Sequence, residues 1–434
     1  MASRKAASRA IKVATLGAGM TGKYLGYLAQ KWFLNDDQRE TKLKATHREA
    51  ARHLSDGMLE MKGPLMKLGQ ALSLHTDLLP DEALVELSRL QMSAPGMHRS
   101  LARAQFKSSL GKYPEEVFAE WNATPFAAAS LGQVHRARTR QGAEVAVKIQ
   151  YPGIRETIEE DFQWFRAVAL PARVSQHLPT HILDELREQI LAETDYAREA
   201  SNAELFGKKL APLTYVSVPT IDRRLTRGKV ITMSLLSGDH LDDFLARKPS
   251  QRTRDLVGER LFELFYHQVL RMEAVHADPH WGNYLFRPRG EIGLVDFGCV
   301  KYLPAAFVDN LRKVFLYAGP RDSPEFRRLM QERYAPRGTK LSATAQRALA
   351  RMAERFYAAV YPSDPADDSK AFDFSEPTVL RDYMIEAGNL TRAKAGLPEY
   401  VLLARAEMGL YQTLHRLRAR VHTSRIVRRY IDNA

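Results

Sequence analysis

Two acids and an amide are spaced in a way that suits phosphoryl transfer. Asp278 is followed five residues later by Asn283, and Asp296 comes thirteen residues after Asn283, at the head of an Asp-Phe-Gly triplet. In kinase-type sites the first aspartate faces the hydroxyl or water nucleophile, while the asparagine and the second aspartate hold Mg²⁺ against the nucleotide phosphates. Each signal alone is weak, because an acid in a loop commonly stabilises a turn. Together they predict Asp278 as the catalytic residue, and Asn283 and Asp296 as magnesium ligands.

A phosphate clamp is predicted upstream. A loop keeps the frame of a kinase phosphate-covering loop, with alanines in place of the first two glycines. The residues assigned to it are Ala127, Ala128, Ala129, Ser130, Gly132 and Val134. A hairpin turning near 141–142 then returns as a strand that reaches Lys148, fourteen residues after Val134. We interpret Lys148 as the lysine that neutralises the α- and β-phosphates. The alternative is a solvated lysine on an edge strand.

A lysine in that role needs a carboxylate on a following helix to hold it. At 100° per residue, Asp195, Glu199 and Asn202 share one face of the predicted helix, whereas Glu193 points away from it. One helix could therefore serve two cations on different sides. The alternative is a charged, solvated helix in which Asp195 pairs with Arg198.

The elements around these residues are predicted from local patterns. A strand over 230–234, which contains Met233, runs into a connector where kinases bind adenine through backbone groups. A short strand over 292–295 precedes Asp296, and a helix is expected over 305–317. Further helices are predicted around 101–110 and 114–121. The segment 38–92 is predicted to hold separate helices: a charged one, one from about Asp56 to His75, and one after the Pro80-Asp81-Glu82 start signal.

Composition narrows the class of partner. The chain has 434 residues, 45% of them apolar, which suits two or three domains with sizeable cores. Lys and Arg exceed Asp and Glu by 13, which favours nucleotides, anionic lipid headgroups or non-specific nucleic acid as partners. The single cysteine, Cys299, excludes an internal disulfide framework and is predicted to be a buried packing thiol. No uninterrupted apolar run is long enough to predict a transmembrane helix.

Four parts are predicted along the chain. They are a basic, glycine-containing segment (1–36), a helical extension (37–98), a sheet-containing lobe (99–236) and a helical lobe with the catalytic loop (237–434). The first segment has no acid before Asp36 and resembles either a mitochondrial presequence or a basic membrane-surface arm. The basic stretch 414–429 is predicted to form a surface helix that touches anionic lipid or a partner, or a solvated helix that closes the large lobe.

The ordered motifs resemble the UbiB family of atypical protein-kinase-like proteins, also called the ADCK group. The match runs from about 62 to 302 and rests on Lys67-x-Gly69-Gln70, Ala127 to Ser130, Lys148, Glu193-x-Asp195, Glu199, Asp278-x4-Asn283 and Asp296-Phe-Gly298. The resemblance implies an α+β, two-lobed kinase-like fold with a helical N-terminal extension across the cleft. It also implies that Lys148 pairs with Glu199, and that Lys67 of the extension, with Gln70, meets the Glu193-x-Asp195 element and restricts substrates.

The family is associated with Mg-ATP binding, ATPase activity and support of isoprenoid-quinone biosynthesis at membranes, and not with phosphorylation of proteins. Two features agree with this independently. His280 stands where Ser/Thr protein kinases place a lysine that contacts the transferred phosphate. Leu303-Pro304 follows Asp-Phe-Gly almost at once, so no long activation loop is present to dock a peptide.

The predicted function is an atypical kinase or ATPase that uses ATP and Mg²⁺ in isoprenoid-quinone or other membrane lipid metabolism. The expected partners are an anionic membrane surface, a lipid or quinone-precursor ligand and quinone-biosynthesis proteins, with no specific nucleic acid. In a bacterium it would be cytoplasmic or peripheral to the inner membrane, and in a mitochondrion it would lie on the matrix side. Two alternatives are a small-molecule phosphotransferase of the antibiotic- or choline-kinase type and a non-catalytic scaffold switched by nucleotide.

Overall fold

The computed structural model describes most of the chain from residue 97 onwards and part of the N-terminal region. The described residues are 15, 18–19, 22–23, 26–31, 34–61, 97–129, 131–169, 184, 187–188, 190–278, 280–317, 319–320, 323–335, 340–362, 364, 368–393 and 398–431. None of the helices in these ranges is long and apolar enough to cross a membrane.

The secondary structure of these residues combines short strands with many helices. The strands are β1 (Glu120–Trp121), β2 (Ala127–Ala129), β3 (Gly132–Arg138), β4 (Glu144–Gln150), β5 (Val216–Ser217), β6 (Val230–Ser234), β7 (Ala274–His276), β8 (Tyr284–Phe286), β9 (Ile292–Leu294), β10 (Val300–Tyr302), β11 (Phe372–Asp373) and β12 (Arg420–Val421). The α-helices are α1 (Asp36–Met61), α2 (Arg99–Leu110), α3 (Pro114–Val117), α4 (Ile154–Ala169), α5 (Tyr196–Lys209), α6 (Leu241–Ala246), α7 (Gln251–His267), α8 (Ala305–Leu316), α9 (Pro324–Tyr334), α10 (Ala343–Met352), α11 (Ala358–Val360), α12 (Pro377–Arg392), α13 (Pro398–Leu417) and α14 (Thr423–Ile431). Single turns of 3₁₀-helix occupy Arg223–Leu225 and Trp281–Asn283, and π-helical turns occupy Gln268–Met272 and Ala353–Tyr357.

Contacts divide the chain into two compact units. The first comprises Met1–Arg198 and Ile221–Leu235, and the second comprises Glu199–Thr220 and Leu236–Ala434. Helix α5 begins in the first unit and continues in the second.

The first unit is built on an antiparallel sheet in the order β1-β3-β4-β6, with β2 also paired to β3. Strands β3 and β4 form the predicted hairpin, whose turn contains Gly142 at φ +89°, a backbone conformation that glycine adopts without strain. Helix α2 packs on this sheet through Ala102 and Phe106, which are buried with Val147 and Ile149 of β4. The sheet core therefore fixes β4, the strand that carries the predicted lysine.

The second unit is mostly helical and holds two small sheets beside the predicted catalytic loop. Strands β7 and β10 pair antiparallel, and β9 lies between β8, which is antiparallel to it, and β5, which is parallel. Helix α7 is buried along one side, including Val257, Leu261 and Phe265. A third pair, β11 with β12, joins the C-terminal region of this unit.

Two predicted helices differ in extent. Helix α1 is continuous from Asp36 to Met61, whereas a separate helix was expected from about Asp56. Thr46, Ala50 and Ser55 are all buried along it, so a packed stripe continues through the residues that resemble a helix start. Helix α3 ends at Val117, because the following residues pair into β1 rather than continuing the helix. Tertiary packing overrides local propensity in both places.

Candidate functional site

The three residues predicted for catalysis and metal binding are positioned by the hairpin of β8 and β9. Asn283 lies directly before β8, and Asp296 follows the end of β9 by two residues. The register pairs Tyr284 with Leu294, and the Val295 amide donates to the Asn283 carbonyl oxygen at 3.1 Å. The antiparallel ladder therefore brings Asn283 and Asp296 to the same end of the hairpin.

Asp278 is joined to this end by a side-chain hydrogen bond. Asn283 donates from Nδ2 to Asp278 Oδ2 at 3.0 Å. An amide that donates through its nitrogen presents its oxygen elsewhere, and oxygen is the ligand that Mg²⁺ prefers. Just beyond β9, the strand that follows the hairpin turn, Asp296 Oδ1 accepts a hydrogen bond from the Gly298 amide at 2.9 Å. These bonds hold Asp278 beside Asn283. They also hold Asn283 beside the backbone that leads to Asp296.

The oxygen donors of Asn283 and Asp296 are of the type that Mg²⁺ binds in proteins. Within the described ranges there is no group of three or more His, Cys, Asp or Glu side chains that could hold a metal ion. Mg²⁺ is usually bound through one or two protein oxygen ligands together with waters and substrate phosphates. One carboxylate from Asp296 and one amide oxygen from Asn283 meet that requirement.

An arginine that the sequence analysis did not single out lies against Asp278. Arg405 on α13 places Nη2 at 3.5 Å from Asp278 Oδ1, and the two side chains are only 5% and 13% exposed. Arg405 lies outside the stretch on which the family resemblance rests. Its signal in the sequence is a single arginine within the apolar run Val401-Leu-Leu-Ala-Arg-Ala. A buried arginine is costly unless it has a partner, so the run indicates a paired charge.

The Asp-Phe-Gly segment is fixed by buried aromatic contacts. His276, at the end of β7, is hydrogen-bonded through Nε2 to the backbone oxygen of Asp296. Phe297 is buried, and its ring meets Phe206 of α5 edge-on at 5.3 Å and His276 at 6.0 Å. The backbone that carries Asp296 is thus held from two sides.

Tyr284 lies next in the chain to Asn283. Burial, and then the negative charge of Asp278, raise the pKa of Tyr284 well above its ordinary value.

The predicted phosphate-covering loop includes β2, which pairs antiparallel with β3 in the first unit. Ala127 pairs with Val134, and Ala129 pairs with Gly132. A Cβ atom on Gly132 would lie 2.3 Å from the Ile149 backbone oxygen and 2.9 Å from the Tyr196 hydroxyl oxygen. The position therefore admits only glycine, although the first two positions of the frame are alanine.

Lys148 lies in the middle of the sheet, in β4, with only 8% of its surface exposed. Its Nζ atom lies 5.3 Å from the centroid of the Tyr196 ring, which is within the range of a cation–π interaction. The alternative of a solvated edge lysine is wrong, because β4 is paired on both sides and the side chain is buried.

The acidic residues before α5 are arranged differently from the prediction. Asp195 precedes the helix, is exposed, and accepts a hydrogen bond from the Arg198 amide at 3.0 Å. Aspartate is favoured in this capping position, so Asp195 does not share a helical face with Glu199. Glu193 and Glu199 are both buried. The expected Asp195–Arg198 contact exists through the backbone amide of Arg198.

Several predicted site residues keep their status as predictions. Lys67, Gly69, Gln70 and Ser130 lie outside the described residues. The pairing of Lys148 with Glu199 joins residues of the two units and stays a prediction. Met233 is buried in β6 and pairs with Ala146, and its contact with adenine also stays a prediction. The predicted burial of Cys299 is confirmed.

The C-terminal basic stretch spans the end of α13, strand β12 and most of helix α14, all within the second unit. Three arginines of α14 reach acids within this unit at 3.2, 3.0 and 3.4 Å, in the pairs Arg425–Glu259, Arg428–Asp368 and Arg429–Glu263. These ion pairs favour the interpretation of a helix that closes the helical lobe.

These features define a protein-kinase-like class: a small antiparallel sheet with a buried lysine in one unit, and an Asp, Asn and Asp-Phe-Gly set in a helical unit. Residues 89–330 match the model of the ABC1 atypical kinase-like domain, which is more than half of the chain. The protein belongs to this family. Both the resemblance to the UbiB group and the kinase-like fold are therefore confirmed.

Curated relatives include proteins of a plant, a fungus and a bacterium. The chain is 32% identical over 274 residues to Protein ACTIVITY OF BC1 COMPLEX KINASE 7, chloroplastic, of Arabidopsis thaliana, covering 62% of this chain and 39% of that protein. It is 32% identical over 270 residues to Atypical kinase COQ8, mitochondrial, of Saccharomyces cerevisiae, covering 61% and 53%. It is 32% identical over 297 residues to Probable protein kinase UbiB of Pseudomonas paraeruginosa, covering 65% and 55%. The chain spans about half the length of the curated relatives it matches.

A solved structure matches over nearly the whole chain. It is the complex of Rv3197 with erythromycin from Mycobacterium tuberculosis, with a TM-score of 0.61 and 26% identity. The match covers 92% of this chain and 98% of that chain.

Proposed function

We propose that the protein is a Mg-ATP-dependent atypical kinase or ATPase that acts in isoprenoid-quinone or other membrane lipid metabolism. The observation that carries the proposal is the hairpin end at which Asn283 donates to Asp278 while its backbone pairs beside Asp296. The arrangement offers one carboxylate for a nucleophile and two oxygen ligands for a metal around one end of the β8–β9 hairpin. Phosphoryl transfer requires this division of roles.

Each residue has one role in this proposal. Asp278 orients the attacking water or hydroxyl, and Asn283 and Asp296 hold Mg²⁺. Lys148 neutralises the α- and β-phosphates, and Glu199 holds Lys148. Bound Mg²⁺ would supply charge neutralisation on the phosphate oxygens.

A lipid or small-molecule acceptor is favoured over a peptide acceptor. Strand β10 and helix α8 follow Asp-Phe-Gly within nine residues, which leaves no long segment to dock a peptide. His280 lies at the position where protein kinases place a lysine. The relatives named COQ8 and UbiB support quinone biosynthesis as the setting, and an anionic membrane surface as a partner is part of the same proposal.

The test is ATP turnover with nucleotide affinity measured in parallel. Wild type, Asp278→Asn and a matched control, Asp382→Asn, are compared with Mg²⁺, with and without anionic liposomes and a quinone-precursor phenol. Asp382 of α12 forms a surface ion pair with Arg355 of the Ala353–Tyr357 turn, and their nearest atoms are 3.5 Å apart. We expect Asp278→Asn to lose turnover by at least about a hundredfold while binding ATP normally, because general-base positioning contributes about that much. Unchanged turnover in Asp278→Asn would support the nucleotide-switched scaffold instead.

A macrolide is a second candidate ligand. The neighbouring structure was solved with erythromycin, and the match covers 98% of that chain. A screen of small alcohols, aminoglycosides and erythromycin for ATP-dependent phosphorylation separates a small-molecule phosphotransferase from a quinone-pathway protein. A phosphorylated drug would favour the former, and stimulation by the phenol alone would favour the latter.

A further inference from the structure

A buried amide on α5 contacts the Asp-Phe-Gly segment directly. Asn202 is 3% exposed and lies one helical turn after Glu199. Its Nδ2 atom donates to the backbone oxygen of Phe297 at 3.0 Å. Its Oδ1 atom accepts from the hydroxyl of Tyr302 at 2.8 Å. The Tyr302 bond orients the amide, because an amide whose oxygen is engaged by a hydroxyl donor must present its nitrogen to the carbonyl.

The bond acts on the backbone that carries the metal ligand. Phe297 stands between Asp296, the proposed magnesium ligand, and Gly298, whose amide donates to Asp296 Oδ1 at 2.9 Å. The orientation of that carboxylate therefore depends on the backbone of 296–298. Phe206, one turn further along α5 than Asn202, packs its ring against that of Phe297 at 5.3 Å. Helix α5 thus contacts the 296–298 segment through one hydrogen bond, from Asn202, and one aromatic contact, from Phe206.

A carbonyl in this environment is costly to leave without a donor, because Phe297 is buried. The hydrogen bond from Asn202 to the Phe297 oxygen joins two neutral groups, so its strength depends on distance and angle rather than on long-range charge. A small shift of α5 would break the bond at Phe297 before it loosened the aromatic contact.

We propose that Asn202 is a positioning residue for Asp296, oriented by Tyr302, and that it couples the position of α5 to magnesium binding. The proposal rests on the proposed function, since it takes Asp296 as a magnesium ligand. Glu199 is carried by the same helix, one turn earlier. Helix α5 therefore bears both a residue of the phosphate clamp and the residue that orients the metal ligand.

The first test measures ATP affinity with Mg²⁺ and with EDTA. Asn202→Leu removes the donor at nearly constant volume, and Tyr302→Phe removes only one hydroxyl from a half-exposed ring. The control is Asn310→Leu, because Asn310 of α8 also donates to a helix backbone oxygen, that of Leu329 at 3.4 Å. We expect Mg²⁺ to tighten ATP binding about fivefold less in Asn202→Leu and about twofold less in Tyr302→Phe than in wild type. In EDTA, Asn202→Leu and Tyr302→Phe should bind ATP as tightly as wild type. The control Asn310→Leu should match wild type both with Mg²⁺ and with EDTA.

The second test needs no metal. Hydrogen exchange at the Gly298 amide should be faster in nucleotide-free Asn202→Leu than in wild type, because the backbone of 296–298 loses its anchor. Unchanged exchange, or full magnesium enhancement in Asn202→Leu, would overturn the positioning role and leave the proposed function standing. A wild-type protein whose ATP affinity is indifferent to Mg²⁺ would overturn both.

Discussion

The ion pair between Arg405 and Asp278 gives a quantitative prediction about the site. The two side chains are 5% and 13% exposed, and their nearest atoms are 3.5 Å apart. Removing one partner of a buried pair leaves a desolvated charge and costs about 3–5 kcal/mol of folding free energy. The long contact, and the second hydrogen bond that Asn283 gives to Asp278, point to the lower end of that range. We therefore expect Arg405→Met to lower the free energy of unfolding by about 3 kcal/mol.

A double-mutant cycle isolates the pair. Asp278→Asn leaves Arg405 beside a neutral amide and should cost about 2 kcal/mol, because a hydrogen bond to a charged group is worth about that much. In the double variant neither charge remains, so its loss should be smaller than the sum by about 2 kcal/mol. Urea unfolding of the nucleotide-free protein measures all four species.

The control cycle uses an exposed pair of the same type. Arg355 and Asp382 lie 3.5 Å apart with 58% and 19% of their side chains exposed. Their coupling should be below about 1 kcal/mol, because solvent screens surface pairs. A coupling for Arg405 and Asp278 no larger than that of the control would refute the argument that burial makes this ion pair strong.

Three further predictions concern the frame of the molecule. Gly132→Ala should destabilise by about 2 kcal/mol in thermal unfolding, since the methyl would lie 2.3 Å from a backbone oxygen, whereas Gly207→Ala, 3.8 Å from a side-chain methyl, should be neutral or stabilising. Glu407→Leu should cost about 3 kcal/mol or more in urea, because Glu407 accepts from three buried phenols at 2.9, 3.0 and 3.2 Å. Burial lowers the pKa of His135 in the folded state, so the unfolded state binds the proton more readily and stability falls as pH drops below about 6.5. His135→Gln should flatten that loss between about pH 7.5 and 5, and an unchanged slope would count against it.

The parts of the site that the sequence predicted are those encoded locally. Asn283 and Asp296 flank a short hairpin, so their separation along the chain and in space are set by the same turn. Lys148 follows from the β3–β4 hairpin for the same reason. The spacing of such residues carries structural information because few residues separate them.

Residues that act across long separations were not predictable in this way. Arg405 reaches Asp278 across 127 positions, and no periodicity in α13 identifies its partner. Asp195 was assigned to a helix face by its spacing, although its preference for capping placed it before the helix. Trp121 was assigned to a helix, but it pairs with Ala137 and stacks on His135 at 4.5 Å. In each case a tertiary or capping interaction outweighs the local pattern.

We propose that Asn283 and Asp296 hold Mg²⁺ and that Lys148 neutralises the phosphates of a bound nucleotide. The most direct measurement is the calorimetric affinity of ATP, with Mg²⁺ and with EDTA, for wild type, Lys148→Met and Asp296→Asn. We predict that Lys148→Met weakens ATP binding under both conditions, because it removes the positive charge proposed to neutralise the phosphates. Asp296→Asn should lose only the part of the affinity that depends on Mg²⁺. Wild-type affinity in both variants, with and without Mg²⁺, would contradict the claim.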